Sequence, residues 1–274
     1  MRNKISLAGD LGSGKSTVAD ILSPKIGATY YGTGIIAREI AASMGMDIAA
    51  FNIYMETHPE LDREFDDRLI RLSDDPRALI IDSRMAWHFT RETYRVYLTT
   101  DPTVAAVRIM QAGRQAEKFA SLEEAEARIR ARKQSEKKRY FDLYGVDCKD
   151  LENYDLVVDT TYATPAEVAE AVEEGYRAWQ AGENDRTRLL CPRRLCYPDT
   201  APDPALVDAC HAALELGTPV ATPEVVPLND AFYLVSGAEV ALAYSLLDST
   251  FLPVRLASAQ VEVDRFVKME DSLL

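Results

Sequence analysis

Short apolar runs alternate with longer segments of helical periodicity through the first 180 residues of the chain. Five runs are predicted to be strands, at 3–8, 28–31, 78–82, 95–100 and 156–159. Between them apolar residues recur every three or four positions, which predicts helices at 16–22, 33–44, 47–57, 59–72, 102–112, 122–142 and 165–180. Because strands and helices alternate, we expect an α/β fold with a parallel sheet flanked by helices.

The pattern changes after the polar segment 181–188, AGENDRTR, which we interpret as a linker. Beyond it the sequence predicts helices at 204–216 and 238–247 and strands at 222–227, 231–236 and 252–257. We therefore expect two domains, 1–181 and 189–274, the second being a small α+β domain.

Composition narrows the class of protein. Of 274 residues, 47% are apolar and 27% are charged, as in globular proteins. The net charge of −13 argues against an extended nucleic-acid-binding surface, although a local basic cluster could hold a small anion.

The chain has no apolar run long enough to span a membrane, and the first predicted strand leaves no room for a signal peptide, so we expect a cytoplasmic protein. Cys191 and Cys196 are spaced too widely for a zinc knuckle, and reduced thiols are expected.

The segment from Gly9 to Ser16, GDLGSGKS, fits the phosphate-binding P-loop pattern G-x-x-x-x-G-K-[ST]. It lies between a predicted strand and a predicted helix, which is the context the motif requires. Glycines let backbone N–H groups surround a triphosphate, and the helix N-terminus adds positive charge. Lys15 can reach the β- and γ-phosphates and Ser16 can ligate Mg²⁺, so ATP and Mg²⁺ are the expected cofactors.

Polar residues follow two further predicted strands. Asp82 ends the strand 78–82 and either orients Mg²⁺ or caps the next turn. Arg84 can hold an acceptor phosphate through two parallel hydrogen bonds. Thr33 suits a helix N-cap. Arg38, one turn further on, is either an acceptor-phosphate ligand or a solvated surface residue.

A strongly basic segment, RIRARKQSEKKR, occupies residues 128–139 of this acidic chain. Arg128, Arg132 and Arg139 fall near one face of the predicted helix. Such a segment is usually a solvated face. Its place between the fourth and fifth strands favours a second interpretation, the lid of nucleoside monophosphate kinases, which closes over the transferring phosphoryl group.

Residues 1–180 resemble the cytidylate kinase family, most closely its short archaeal-type branch. The segment METHPELDREFDDR is similar to the acidic "HPE-(I/L)-D" helix of that family, and IDSRMAW stands where the family has "EGR". The segment RKQSEKKRYFDLYGVD resembles the family's lid, "RE-x-SE-x-KRY-x-x-x-YGID". The segment YDLVVDTTYATPAEVAEAV resembles its closing "YDLVINT…P-E-x-V".

The resemblance implies ATP-dependent phosphorylation of CMP or dCMP. It implies a catalytic set of Lys15, Arg84, Arg132 and Arg139. The implied ATP-binding residues are Gly12, Ser13, Gly14, Lys15, Ser16 and Thr17, with Thr160 and Thr161 near the adenine ring. Ser16 and Asp82 are the implied metal ligands. The implied acceptor side comprises Thr33, Arg38, Asp62, Asp67, Arg68 and Arg84.

Departures from the family pattern leave the acceptor open. Ser83 replaces the glycine of Glu-Gly-Arg, Trp87 replaces a later glycine, and the lid start at 111–119 differs. Phosphoryl transfer is therefore better supported than selectivity for cytosine. The alternatives are a P-loop kinase for another nucleotide or hydroxyl acceptor and a non-catalytic nucleotide sensor.

Residues 189–258 show a weaker resemblance to the ParB/sulfiredoxin-like fold. Asp230, Tyr233, Gly237, Ala241 and the pair 253–254 fit its hairpin-to-helix segment, but the His and Arg of that family's helix start are absent. The resemblance implies a non-catalytic accessory domain that binds a protein partner or self-associates.

Overall fold

A computed structural model describes residues 2–112 and 119–268 of the chain. Most of the expected atypical lid start, from 113 to 118, lies outside the described residues. The chain forms two compact units: unit 1 comprises Met1–Leu156 and Pro165–Asp185, and unit 2 comprises Val157–Thr164 and Arg186–Leu274. Residues 157–164 thus group with the C-terminal part of the chain. The domain ranges 1–181 and 189–274 stay predictions.

Unit 1 alternates strands and helices along the chain. Up to residue 82 its elements are β1 (Lys4–Gly9), α1 (Lys15–Ile26), β2 (Thr29–Gly32), α2 (Thr33–Ser43), α3 (Ile48–Glu56), α4 (Pro59–Leu72) and β3 (Leu79–Asp82). They are followed by α5 (Ala86–Phe89), β4 (Thr93–Thr99), α6 (Pro102–Gln111) and α7 (Leu122–Tyr144). The strand β5 (Leu156–Asp159) crosses the boundary between the units, and α8 (Pro165–Ala181) completes unit 1.

The strands of unit 1 form a parallel sheet in the order β4-β1-β3-β2. Every residue of β1 is buried, as expected for a central strand covered on both faces. Leu7 of β1 pairs with Asp82 of β3, and Gly9 pairs with Leu98 of β4. The carboxyl ends of three strands therefore meet beside the P-loop, where ligands bind in such sheets. The predicted α/β class is confirmed.

Two local features of unit 1 differ from the sequence prediction. Helix α1 continues past residue 22, through Pro24, and ends where Gly27 takes a left-handed conformation with φ of 64°. The sequence did not predict this extension because proline is normally disfavoured in a helix interior. Helix α5 has four residues, too few to show a helical period.

Unit 2 contains the remaining elements. They are β6 (Thr187–Leu190), β7 (Leu195–Pro198), α9 (Pro204–Glu215), β8 (Glu224–Leu228), β9 (Ala231–Ser236), α10 (Ala238–Leu246), β10 (Leu252–Pro253), β11 (Arg255–Leu256) and β12 (Phe266–Lys268). One set of strands has the order β11-β8-β9-β7-β12, and another has the order β10-β6-β5. Strands and helices are thus mixed without the regular alternation of unit 1.

The start of unit 2 differs from the predicted linker at 181–188. Thr187 already belongs to β6, and β7 follows shortly after it. The strand was missed because Arg188, a charged residue, is only 4% exposed within it. The predicted strand at 252–257 is two strands: β10 pairs antiparallel with β6, whereas β11 pairs parallel with β8.

Within the described ranges, no helix has both the length and the apolar character that membrane crossing requires.

Candidate active site

The P-loop joins β1 to α1 and has the backbone shape its glycines allow. Gly9 has φ of 152°, and a Cβ atom there would collide with the carbonyl oxygen of Leu98. Gly14 has φ of 80°, and a Cβ there would meet only open space within 4 Å. Ser13 is buried, and its hydroxyl donates to the carbonyl of Asp10 at 2.8 Å. The loop is therefore fixed against the sheet but open at the start of α1.

Lys15 is the first residue of α1, and its side chain folds back along the loop. Its Nζ donates to the carbonyl of Asp10 at 2.9 Å and to that of Gly9 at 3.2 Å. Burial, followed by the positive charge of Arg84, lowers the pKa of Lys15 to about 7. This ammonium group is poorly compensated, so an anion at the loop would stabilise its charged form. Ser16 and Thr17 follow it in the first turn of α1.

Asp82 ends β3 beside the loop. Its carboxylate accepts a hydrogen bond from the hydroxyl of Tyr30 at 2.8 Å, and its backbone carbonyl accepts one from Thr33 at 3.0 Å. Thr33 therefore links the start of α2 to the end of β3, a role different from the predicted N-cap. Gly32 is the N-cap residue, with no side-chain cap.

Glu136 of α7 joins two of the predicted arginines. Its carboxylate accepts from Nε of Arg84 at 2.9 Å and from Nε of Arg132 at 3.0 Å. Burial opposes ionisation of Glu136, but Arg84 and then Arg132 overcome it and lower its pKa. The basic helix is thus bound to the end of β3 through a buried carboxylate. Trp87 supports the same region, since its ring N–H donates to the carbonyl of Arg84 at 3.0 Å.

The acidic helix α4 meets α7 through two pairs. Asp62 is 4% exposed, and its Oδ2 lies 3.7 Å from Nε of Arg139. Neither of these two atoms has a hydrogen-bond partner. Asp66 accepts a hydrogen bond from the hydroxyl of Tyr144. Buried polar atoms that lack partners carry an energetic cost, which a bound ligand could offset.

Other predicted residues lie away from these networks. Arg38 is exposed on α2, and Asp67 is exposed on α4. Arg68 pairs with Glu64 one turn away on its own helix at 2.5 Å. Arg128 likewise pairs with Glu124 on the solvated side of α7 at 2.9 Å. Acceptor roles for Arg38, Asp67 and Arg68 stay predictions.

Thr160 and Thr161 follow β5 and belong to unit 2. Both are buried, and the hydroxyl of Thr161 donates to Asp159 at 2.5 Å. Their predicted place near an adenine ring stays a prediction.

The residues available for Mg²⁺ fit that ion. The hydroxyl of Ser16 and the carboxylate of Asp82 are hard oxygen ligands. Among the described residues, no group of three or more His, Cys, Asp or Glu side chains is arranged to hold a metal ion. Such a donor set suits an ion that is held mainly by phosphate oxygens and water.

Several members of the networks were not predicted from the sequence. Glu136 lies within the quoted lid motif, so its place there was the available signal. Tyr144 lies within the same motif. Asp10 and Lys149, which contact each other at 3.1 Å, are 139 positions apart and carried no local signal.

A parallel sheet with a glycine loop and a lysine at its carboxyl edge defines a P-loop protein of the α/β class. The sequence model of the cytidylate kinase-like family matches residues 4–162, and the chain belongs to that family. A cytidylate kinase of Thermoplasma volcanium is 38% identical over 196 residues, covering 70% of this chain and 98% of that protein. A cytidylate kinase of Methanothermobacter thermautotrophicus is 36% identical over 156 residues, covering 57% of this chain and 94% of that protein. The solved shikimate kinase of Acinetobacter baumannii has a TM-score of 0.41 and 18% identity over 63% of this chain and 91% of its own.

Proposed function

We propose that the chain is a nucleoside monophosphate kinase that transfers the γ-phosphoryl group of ATP to CMP or dCMP. The observation that carries the proposal is the link from Arg84 through Glu136 to Arg132, which brings the basic helix α7 to the strand end beside the P-loop. Membership of the cytidylate kinase-like family supports the same reaction class. The names of the two archaeal relatives favour a cytidine nucleotide as acceptor.

The proposed residue roles follow from charge and position. Lys15 and the backbone N–H groups of Gly12–Thr17 bind the donor phosphates, and Ser16 and Asp82 hold the metal ion. Mg²⁺ neutralises charge on the phosphate oxygens when it is bound. Arg84 and Arg132 supply positive charge at the place where negative charge develops on the transferring phosphoryl group. The attacking atom is already a phosphate oxygen, so positioning and charge neutralisation suffice without a strong general base.

The acceptor nucleoside is proposed to lie between α4 and α7. Asp62 and Arg139 support this place, because each keeps a buried polar atom without a hydrogen-bond partner. Thr33 and Arg38 on α2 and Asp67 and Arg68 on α4 are proposed to complete this side. The adenine ring is proposed to lie near Thr160 and Thr161, as the family resemblance implies.

A cytoplasmic location and an accessory role for unit 2 are also proposed. Use of ATP and a nucleoside monophosphate places the reaction in the cytoplasm. The ParB-like resemblance supports an accessory role for the C-terminal part of the chain, through a protein partner or self-association.

The test is an ADP-release assay with Mg²⁺, ATP and each common nucleoside monophosphate. We expect turnover with CMP or dCMP. The Lys15→Met variant should lose about 10²–10³-fold in turnover, as when a transition-state donor is removed. Lys25→Met is the matched control, because Lys25 lies on the same helix and pairs with Glu173 at 3.3 Å. Full activity of Lys15→Met would contradict the proposed site.

The same assay separates the alternatives. ADP release only with a different acceptor would favour another substrate. The departures from the family pattern at Ser83 and Trp87 are consistent with that outcome. Tight nucleotide binding without any ADP release would favour a sensor.

A further inference from the structure

Tyr30 reaches from β2 to the carboxylate of Asp82 on β3, a contact to which the proposed mechanism gives no role. Its hydroxyl donates to Oδ2 of Asp82 at 2.8 Å. At neutral pH a tyrosine hydroxyl is protonated and a carboxylate only accepts, so the direction of this hydrogen bond is fixed. The acceptor is charged, which makes the bond stronger than one between neutral groups. Tyr30 thus engages one of the two carboxylate oxygens of Asp82.

The strand register explains how the side chain of Tyr30 spans this distance. In the parallel pair of β2 and β3, Tyr30 lies opposite Ile80 and Gly32 lies opposite Asp82. Because side chains alternate between the two faces of a sheet, Tyr30, Gly32 and Asp82 share one face. The ring of Tyr30 therefore extends over Gly32 to reach Asp82.

Gly32 makes room for this approach. A Cβ atom there would lie 2.8 Å from the hydroxyl oxygen of Tyr30 and 3.1 Å from two of its ring carbons. The backbone of Gly32 has φ of −108°, which any residue can adopt. A side chain at this position is therefore excluded by the tyrosine ring and not by the backbone conformation.

Asp82 is held a second time through its backbone. The hydroxyl of Thr33, the first residue of α2, donates to the carbonyl oxygen of Asp82 at 3.0 Å. On its other side, Asp82 pairs with Leu7 of β1, two residues before the P-loop begins. The junction of β2 and α2 thus fixes both the main chain and the side chain of a carboxylate that lies beside the P-loop.

We propose that Tyr30 is a positioning residue that orients the carboxylate of Asp82 toward the magnesium ion of the bound nucleotide, with Gly32 as the gap through which it reaches Asp82. This role rests on the proposed function, in which Asp82 is a metal ligand. The terminal torsion of an aspartate is soft, so a carboxylate without support samples many directions. A hydrogen bond that holds Oδ2 in advance directs Oδ1 and lowers the ordering cost of binding. Tyr30 itself contacts neither the phosphates nor the metal ion.

The test measures how strongly Mg²⁺ enhances nucleotide binding, by calorimetric titration of the full chain with adenylyl-imidodiphosphate in Mg²⁺ and in EDTA. The ratio of the two affinities is the magnesium effect. Tyr30→Phe should lower this ratio about tenfold, as expected when a metal-ligating carboxylate loses its supporting hydrogen bond. The affinity in EDTA should stay within about twofold of wild type, because only the coupling to the metal changes. Tyr176→Phe is the matched control, since it removes a tyrosine hydroxyl that accepts from Gln180 on α8 at 3.0 Å.

Gly32→Ala tests the same geometry while it keeps the tyrosine. The new Cβ displaces the far end of a side chain, so the melting temperature should fall little while the magnesium effect falls as in Tyr30→Phe. The double variant Gly32→Ala/Tyr30→Phe should show no further loss, because both changes remove one hydrogen bond. Asp82→Asn sets the lower limit, with most of the magnesium effect abolished. The Mg²⁺ concentration for half-maximal ADP release should rise in the same order.

The contrary outcomes are distinct. A lower melting temperature of Tyr30→Phe with an unchanged magnesium effect would make the contact purely structural and overturn the proposal. A larger magnesium effect in Tyr30→Phe would make the hydroxyl a competitor of the metal ion and also overturn it. A wild-type chain that neither binds the analogue nor releases ADP would refute the proposed function and this role together, whereas an active wild type with indifferent variants refutes this role alone.

Discussion

Glu136 and Asp66 are carboxylates whose surroundings shift their pKa values in opposite directions. Burial of Glu136 is outweighed by Arg84 and Arg132, which lower its pKa. Burial of Asp66, together with the negative charges of Asp62 and Asp67, raises its pKa to about 6 despite the hydrogen bond from Tyr144. The two residues should therefore give unfolding free energies that depend on pH with opposite signs.

Glu136→Gln should destabilise the protein most at neutral pH. The folded-state pKa of Glu136 lies below its unfolded value, so its stabilisation is present above about pH 4 and is lost as the pH falls further. At pH 7 the loss should be about 3 kcal/mol, because two arginines lose a buried partner. Urea unfolding of both proteins between pH 3 and 7 measures the difference.

Asp142→Asn is the control for Glu136→Gln, since it removes an exposed carboxylate of the same helix. Its effect should stay below about 1 kcal/mol. An equal loss at pH 3 and pH 7 for Glu136→Gln would show that shape, and not charge, explains the effect.

Asp66→Asn should show the opposite dependence. The folded-state pKa of Asp66 lies above its unfolded value of about 4, so its contribution is present below that value and is lost as the pH rises through about 6. The variant should therefore gain stability relative to wild type between pH 4 and 7. Urea unfolding at several pH values measures this gain, with Asp67→Asn as the exposed neighbouring control. Parallel curves for wild type and Asp66→Asn would contradict it.

At the scale of elements, helix α8 packs on β4 at a position without a side chain. A Cβ atom on Gly175 would collide with the hydroxyl oxygen of Tyr94, which is 3% exposed. The ring of Tyr94 also lies 5.9 Å from that of Trp179 on the same helix. Close approach of helix and sheet thus depends on glycine at this position.

Gly175→Ala should destabilise the protein by about 1–3 kcal/mol, because overpacking outweighs the higher helix propensity of alanine. Tyr94→Phe removes the colliding oxygen, so the double variant should recover part of the loss. A ring carbon of Tyr94 would still lie 3.1 Å from the new Cβ, which keeps the recovery partial. Urea unfolding of the four proteins measures the coupling. Additive effects would show that α8 moves instead.

The sequence predicts those elements and residues whose pattern lies within a few neighbouring positions of the chain. The P-loop is a contiguous pattern, and Arg84 and Arg132 each belong to a short motif, so the sequence located all three. The bond between Arg84 and Glu136 spans 52 positions and depends on how α7 meets the sheet. Strand β6 was missed for a similar reason, because Arg188 is buried by tertiary contacts that no periodicity reveals.

At the scale of the whole molecule, unit 2 is assembled from two separate stretches of chain. Asp159 from the first stretch is fully buried, and its carboxylate accepts from Arg194 at 3.0 Å and from the backbone N–H of Cys191 at 3.3 Å, both in the second stretch. Asp159 thus joins the two stretches of unit 2 through its carboxylate.

The effect of Asp159→Asn on stability should therefore be opposite in the full chain and in a shortened chain. In the full chain it deprives Arg194 of a buried partner and should cost about 3 kcal/mol. In a chain ending at Asp185, Asp159 has lost Arg194 and Cys191, so the neutral Asn should raise the melting temperature of the shortened protein.

Arg194→Met in the full chain tests the same contact without truncation, and in that background Asp159→Asn should cost much less, since the pair is already broken. Thermal melts of these proteins measure each effect. Equal destabilisation by Asp159→Asn in the full chain, the shortened chain and the Arg194→Met background would mean that Asp159 acts through Thr161 within its own stretch and not through the C-terminal residues.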